Sequence, residues 1–206
     1  MTTVVVFDYG SGNIHSVVRA IQGLGVEVIL TADADQALAA DGLVVPGVGA
    51  FAACMEQLTS VGGDRIIRER VQANLAILGI CVGHQILFSA GIEHGIPCKG
   101  VGIFTGTIQQ LPTTKLPHMG WNEVASVPRS RFFEGTQRFY FVHSYGALTP
   151  EDLPQDAVSL WTEHEGIQVM AAVEYGPVLS TQFHPEKSGS AGAALLKRWI
   201  DSLEVG

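Results

Sequence analysis

The 206-residue chain is poor in charge, in cysteine and in aromatic side chains, and each shortage excludes something. Only 16% of its residues are charged, and Lys and Arg never gather into a run. With 12 basic against 20 acidic side chains and a formal net charge of -8, it offers little to a phosphate backbone, so nucleic-acid binding is not expected. Three cysteines, Cys54, Cys81 and Cys98, are an odd number with no close pair. They supply neither a disulfide framework nor a Cys-x-x-Cys pair, and no two histidines are closely spaced. A reducing cytoplasm, with no structural zinc, is the environment that fits. No uncharged apolar run approaches the roughly 20 residues of a membrane helix. Met1 to Asp8 lacks the basic start and apolar core of a signal peptide, so neither membrane nor secretion is expected.

What is present is apolar: 47% of residues are hydrophobic, enough for a buried core, and the length makes one domain over residues 1–206 the first expectation. Short apolar runs at Val4 to Phe7, Val26 to Leu30, Leu43 to Val45 and Leu75 to Ile80 read as buried strands. Between them, Asn13 to Leu24 carries Ile14, Val17, Val18, Ile21 and Leu24 on one helical face and stops at Gly25. A second helix follows Asp64 as N-cap, with Ile66, Ile67 and Val71 turned inward. Strands alternating with helices predict a parallel sheet covered on both faces, with ligand sites beyond the carboxyl ends of its strands.

After Gly95 the pattern becomes strand-rich, at 100–110, 138–145, 158–163, 168–174 and 178–183, before a closing helix at about Ser190 to Leu203. No repeat, low-complexity tract or linker separates the halves. The fold class expected is a single α/β domain, a mixed and mostly parallel central sheet with helices on both faces and a β-rich C-terminal half.

Two segments carry chemistry. Gly79-Ile80-Cys81-Val82-Gly83 follows a strand and precedes a helix-like stretch through Ile86, Leu87 and Phe88, the pattern of a nucleophile elbow with sulfur in place of oxygen. Glycines suit the strained backbone and open space that a nucleophile on a tight turn needs. A helix beginning at the thiol would lower its pKa and turn free N–H groups toward an oxyanion. Cys54 and Cys98 lack such a context and read as packing residues. The second segment, Gln182-Phe183-His184-Pro185-Glu186-Lys187, leaves a strand end, with Glu186 placed to orient His184 across a turn stiffened by Pro185. Gly47-Val48-Gly49 and Gly10-Ser11-Gly12 echo a dinucleotide loop, but Ala52 and His15 stand where its third glycine would be, so no cofactor is expected.

An elbow cysteine with a late His-x-Glu resembles the class I, or triad, glutamine amidotransferases, and the resemblance spans nearly the whole chain. It is carried also by Asp8-Tyr9-Gly10-Ser11-Gly12-Asn13, Pro46-Gly47-Val48-Gly49-Ala50-Phe51, Pro117-His118-Met119-Gly120-Trp121-Asn122 and Tyr140-Phe141-Val142-His143-Ser144-Tyr145-Gly146. Taken in order, these are similar to the glutaminase branch that serves imidazole glycerol phosphate synthesis in histidine biosynthesis. The resemblance implies Cys81, His184 and Glu186 as the triad. Backbone N–H groups of Val82 and of Val48 or Gly49 would form the oxyanion hole, and Gly49, Gln85, Ser144 and Tyr145 would hold L-glutamine. It also implies a (β/α)8-barrel cyclase as heterodimeric partner, met through Asn13, Trp121, Tyr140 and Lys187. The family usually has Leu after the nucleophile and often Met before the glutamine, where this chain has Val82 and His84; His84 leaves a second base open.

Two rival readings follow from the same residues. A cysteine peptidase on this scaffold would also use an elbow cysteine and a histidine, but the His-Pro-Glu order and the His143-Ser144-Tyr145 segment favour glutamine. A regulatory subunit that had kept only the fold would have lost the thiol, the imidazole or the carboxylate, and all three are present.

Overall fold

The computed structural model describes residues 2–12, 14–149 and 153–203. The apolar runs of the N-terminal half become β1 (Thr3–Phe7), β2 (Glu27–Thr31), β3 (Gly42–Gly47) and β4 (Ala76–Cys81). From the C-terminal half come β11 (Val158–His164), β12 (Ile167–Tyr175) and β13 (Val178–Thr181). Together they form a seven-stranded sheet in the order β11-β12-β13-β4-β3-β1-β2. From β13 to β2 all neighbours are parallel, while β12 and β11 add antiparallel strands at one side. Successive side chains of a strand face opposite sides. Because Val4, Val5, Val6 and Phe7 are all fully buried, both faces of β1 are covered.

The helices are α1 (Ile14–Gln22), α2 (Ala34–Ala39), α3 (Phe51–Ser60), α4 (Gly63–Gln72), α5 (Val82–Gln85) and α6 (Gly189–Leu203). Among these, α4 contacts both α2 and α3, whereas α1 and α6 both contact the 3-10 turn Pro185–Lys187. A second sheet, β10-β7-β5-β6, is built from β5 (Phe88–Glu93), β6 (Ile96–Lys99), β7 (Phe104–Gln110) and β10 (Tyr145–Gly146). A ribbon pairs β8 (His118–Ala125) with β9 (Thr136–His143). No helix among the described residues is long and apolar enough to cross a membrane.

Several expectations are corrected. The run at Val26 to Leu30 is not buried: as the outermost strand, β2 has only one neighbour and its residues are exposed or half-buried. The N-cap of α4 is Gly62 in a left-handed conformation, and Asp64 lies inside the first turn, where it pairs with Arg68 at 2.7 Å. The strand expected from Gly100 begins only at Phe104, and α1 ends at Gln22, two residues before Leu24.

The largest difference follows the elbow, where the helix lasts one turn and Phe88 already belongs to β5. The reason is competition for carbonyls. Those of Ile86, Leu87, Phe88 and Ser89 accept from the N–H groups of Val101, Ile103 and Phe104, Gly102 and Gly100 respectively. A continuing helix would need those acceptors for its own next turn.

At the amino ends of the strands, Arg70 of α4 is fully buried and donates to the carbonyls of Ala37, Leu38, Ala40, Asp41 and Ala76, joining the end of α2 to the starts of β3 and β4. Burial lowers its guanidinium to about 10, so it remains a cation.

Candidate active site

Parallel neighbours place the end of β3, Cys81 at the end of β4 and the residues after β13 along one rim, the carboxyl edge of the sheet. A cavity of about 240 Å³ opens there. Val48, Gly49, Cys81, Val82 and Gln85 line it from the two central strands, and Ser144, Tyr145, His184 and Lys187 from the later ones. Segments far apart in sequence therefore meet because the sheet order brings β3, β4 and β13 together.

Cys81 has φ 56° and ψ -112°, a backbone state that a non-glycine residue occupies at a cost of about 1 to 3 kcal/mol. The turn survives because its glycines admit backbone at close range. A Cβ on Gly83 would stand 1.9 Å from the Val45 carbonyl oxygen, and one on Gly79 would stand 2.8 Å from the Gly83 oxygen. Close backbone approach, more than open space, is what those glycines supply. A four-residue α5 aligns too few peptide dipoles for the helix effect expected from sequence. The cationic group beside the sulfur is instead His184.

His184 follows Phe183, which is fully buried and stacks on Phe139 at 4.1 Å, fixing which way the chain turns. The backbone is held by His184 N–H donating to the Tyr140 carbonyl and by Ser188 Oγ donating to the His184 carbonyl. Nδ1 lies 2.8 Å from Glu186 Oε1, both side chains almost wholly buried, and the ring also hydrogen-bonds Cys81. Burial by itself lowers the imidazole, but the hydrogen bonds and charges of Cys81 and Glu186 together outweigh it and push His184 up to about 9.

The second base left open by the sequence is removed. His84 is fully buried, with Nδ1 2.8 Å from Ser180 Oγ and its ring edge-on to Phe88, and it does not line the cavity. Burial lowers it to about 3, so it stays neutral. Cys54, expected only to pack, also hydrogen-bonds: its thiol donates to the Val48 carbonyl at 3.2 Å. A trans peptide turns C=O and N–H in opposite directions, so the Gly49 N–H faces away from Cys54.

Three cavity neighbours were not legible as site residues. Glu93, at the tip of β5, puts a carboxylate on the wall. His143 lines the cavity as well, with Nδ1 2.9 Å from the Tyr145 carbonyl and Nε2 2.9 Å from His118 Nδ1. A carbonyl only accepts, so His143 carries its proton on Nδ1 and His118 donates to it. Burial holds both neutral, at about 3 and about 4. Gln182 packs between Gln85 and Cys81. His143 and Gln182 fall within segments that carry the family resemblance, but nothing local gives them or Glu93 a role, because pairing between distant strands decides what they face.

Of the residues expected at a partner surface, Trp121 is 45% exposed and stands edge-on to Tyr140, which is half-buried. Lys187 lines the cavity, and Asn13 lies outside the described residues. Among the described residues no group of three or more His, Cys, Asp or Glu side chains could hold a metal ion.

A family model described as glutamine amidotransferase class-I matches residues 5–202. The chain is 55% identical to the imidazole glycerol phosphate synthase subunit HisH of Mycolicibacterium paratuberculosis, over 98% of both chains. It is 50% identical to the subunit of the same name from Bifidobacterium longum, over 98% of this chain and 100% of that one. In fold it is similar to a solved glutamine amidotransferase at a TM-score of 0.76, with 18% identity, over 98% of this chain and 99% of that one.

Proposed function

Because this chain belongs to the class I glutamine amidotransferase family, we propose that it is the glutaminase subunit of an imidazole glycerol phosphate synthase, cleaving L-glutamine to glutamate and ammonia. The observation that carries the reading is Cys81 on a strained elbow, hydrogen-bonded to His184, which is itself bound to a buried carboxylate 2.8 Å away.

Cys81 Sγ, as thiolate, attacks the carboxamide carbon of glutamine. The negative charge that develops on the amide oxygen is met by the N–H of Val82 and by one from Val48 or Gly49; each such donor contributes about 3 to 4 kcal/mol to the barrier reduction. Glu186 holds Nδ1, which leaves Nε2 of His184 to protonate the leaving nitrogen, so ammonia departs and a thioester remains. Water, deprotonated by the same Nε2, then releases glutamate and restores the thiol. A cavity of about 240 Å³ has room for one amino acid, and the match to the glutamine amidotransferase class-I family favours glutamine over a peptide. Gln85, Gly49, Ser144 and Tyr145 hold the substrate, and the Glu93 carboxylate is placed for its α-ammonium group.

Ammonia is protonated in free solution, so the product is of use only if it passes directly to a synthase. The (β/α)8-barrel cyclase docks over the carboxyl edge of the sheet, where Trp121 and Met119 are exposed and Lys187 and Tyr140 lie beside them. Docking also orients the oxyanion segment, so that glutamine is not consumed idly.

Glutamate release, measured with and without a cyclase subunit carrying its ligand, tests the whole reading. The expected results are faster release in the complex and loss of release in Cys81→Ala. Release that survives Cys81→Ala would overturn the nucleophile, and equal rates alone and in complex would overturn the gating.

A further inference from the structure

Gln182 sits two residues before His184, is fully buried and does not line the cavity. Its amide nonetheless has a partner at each end. Oε1 accepts from Gln85 Nε2 at 3.0 Å, and Nε2 lies 3.9 Å from Cys81 Sγ. The direction of that chain is dictated by its far end. Gln85 Nε2 also lies 2.9 Å from the Tyr145 carbonyl, which can only accept, so the amino group of Gln85 must face it. The second hydrogen of that amino group goes to Gln182, whose atom at that position must therefore be oxygen. Its own amino group is then turned to the sulfur. A buried amide N–H needs an acceptor, and here the sulfur is the one in reach.

We propose that Gln182 directs a side-chain N–H at the Cys81 sulfur, holding the thiolate in line for attack and tying it, through Gln85 and the Tyr145 carbonyl, to the wall that receives substrate. The inference rests on the reading of Cys81 as the nucleophile. An N–H aimed at a thiolate is a charge-assisted bond, stronger toward the anion than toward the thiol, so it favours the reactive form. His184 supplies the charge on one side of the sulfur, and Gln182 adds a donor that neither titrates nor takes part in proton transfer. Because Gln182 and His184 flank Phe183 at one strand end, both reach the nucleophile from a single rigid segment.

Labelling by iodoacetamide reads this bond directly, since the sulfur forms a bond to the acetamide carbon as iodide leaves and the rate follows the thiolate. Mass spectrometry of the peptides separates Cys81 from Cys54 and from Cys98, whose rate serves as an internal standard. Gln182→Met keeps length and bulk without the donor, and Gln182→Glu keeps the acceptor for Gln85 while setting an oxygen against the sulfur. At neutral pH, Cys81 labelling is expected to slow by about five-fold in Gln182→Met and by more in Gln182→Glu, with Cys98 unchanged. A purely packing role would lower the melting temperature and leave the Cys81 rate as it was; that result in folded Gln182→Met overturns the proposal. Should Gln182→Met not fold, a wild-type rate in Gln182→Glu overturns it equally. Failure of the glutaminase reading would instead appear as glutamate release surviving Cys81→Ala, an outcome separate from the labelling comparison.

Discussion

At the scale of single residues, the site depends on how two groups share a proton. His184 is held at about 9 against the usual value of about 6.5, despite burial, by Cys81 and Glu186. Above that value it has no proton to give the leaving nitrogen. The pH profile of kcat/KM for glutamate release is therefore expected to fall on its alkaline side near pH 9. Removing the carboxylate's charge lowers the imidazole pKa, so Glu186→Gln is expected to move that limb to lower pH and cut kcat by at least about ten-fold, the scale of general acid and base contributions. An unmoved limb in Glu186→Gln would show that Glu186 does not act on His184. The residues that hold backbone rather than substrate matter at the same scale: Cys54 on the Val48 carbonyl and Ser11 on the Pro46 carbonyl, at 3.2 and 3.1 Å, fix the strand end that carries the proposed oxyanion donors.

At the scale of elements, short range and long range compete, and the outcome decides where the site sits. One turn of helix after Cys81 gives way to β5 because segment 100–104 takes the carbonyls a longer helix would use. That early turn into a strand is what carries Glu93 to the cavity wall. The opposite end of the sheet depends on Arg70, whose buried guanidinium gathers five carbonyls, those of Ala37 and Ala40 through buried bonds. Arg70→Leu leaves them unpaired and is expected to destabilise the fold by about 3 to 5 kcal/mol, read as a lower urea midpoint. Arg70→Lys is expected to recover only part of that loss, since an ammonium has three donors where the guanidinium has five. Neither change touches the cavity, so folded protein of either variant should keep its affinity for glutamine.

Across the whole molecule, the buried histidines set a window of stability. His84, His118 and His143 are neutral when folded, at about 3, 4 and 3, and take up protons readily once unfolded, near 6.5. Lowered folded values mean that their contribution is complete above about pH 6.5 and is lost as pH falls below it. His184 has the opposite sign. Its raised value favours the folded state below about pH 6.5, and that contribution is lost as pH rises through about 9. Urea midpoints are therefore expected to peak near pH 6.5, to drop on the acid side as the three neutral histidines lose their contribution, and to decline between about pH 6.5 and 9 as His184 loses its own. At pH 5 each of the three neutral histidines removes up to about 2 kcal/mol. His84→Asn should flatten the acid side, and an acid slope unchanged by it would argue against a neutral buried imidazole there.

The sequence by itself determined what depends on near neighbours. Apolar runs too continuous for a solvated face had to be central strands, as Val4 to Phe7 and Leu43 to Val45 are, and the fold class followed from their alternation with helices. Gly79 and Gly83 announced the elbow, and His184 with Glu186 announced each other across one proline, because the turn that joins them is local. Only the tertiary structure decided what depends on distant partners. It ended α5 after one turn, exposed β2 as an edge and turned His84 onto Ser180, outside the cavity that Cys81 lines. It also aimed the Gln182 amide at the sulfur through an orientation set by the Tyr145 carbonyl. The physical division is one of range. Steric and capping preferences act within a turn and are written in order along the chain, whereas hydrogen bonds between strands a hundred residues apart exist only once the sheet has formed.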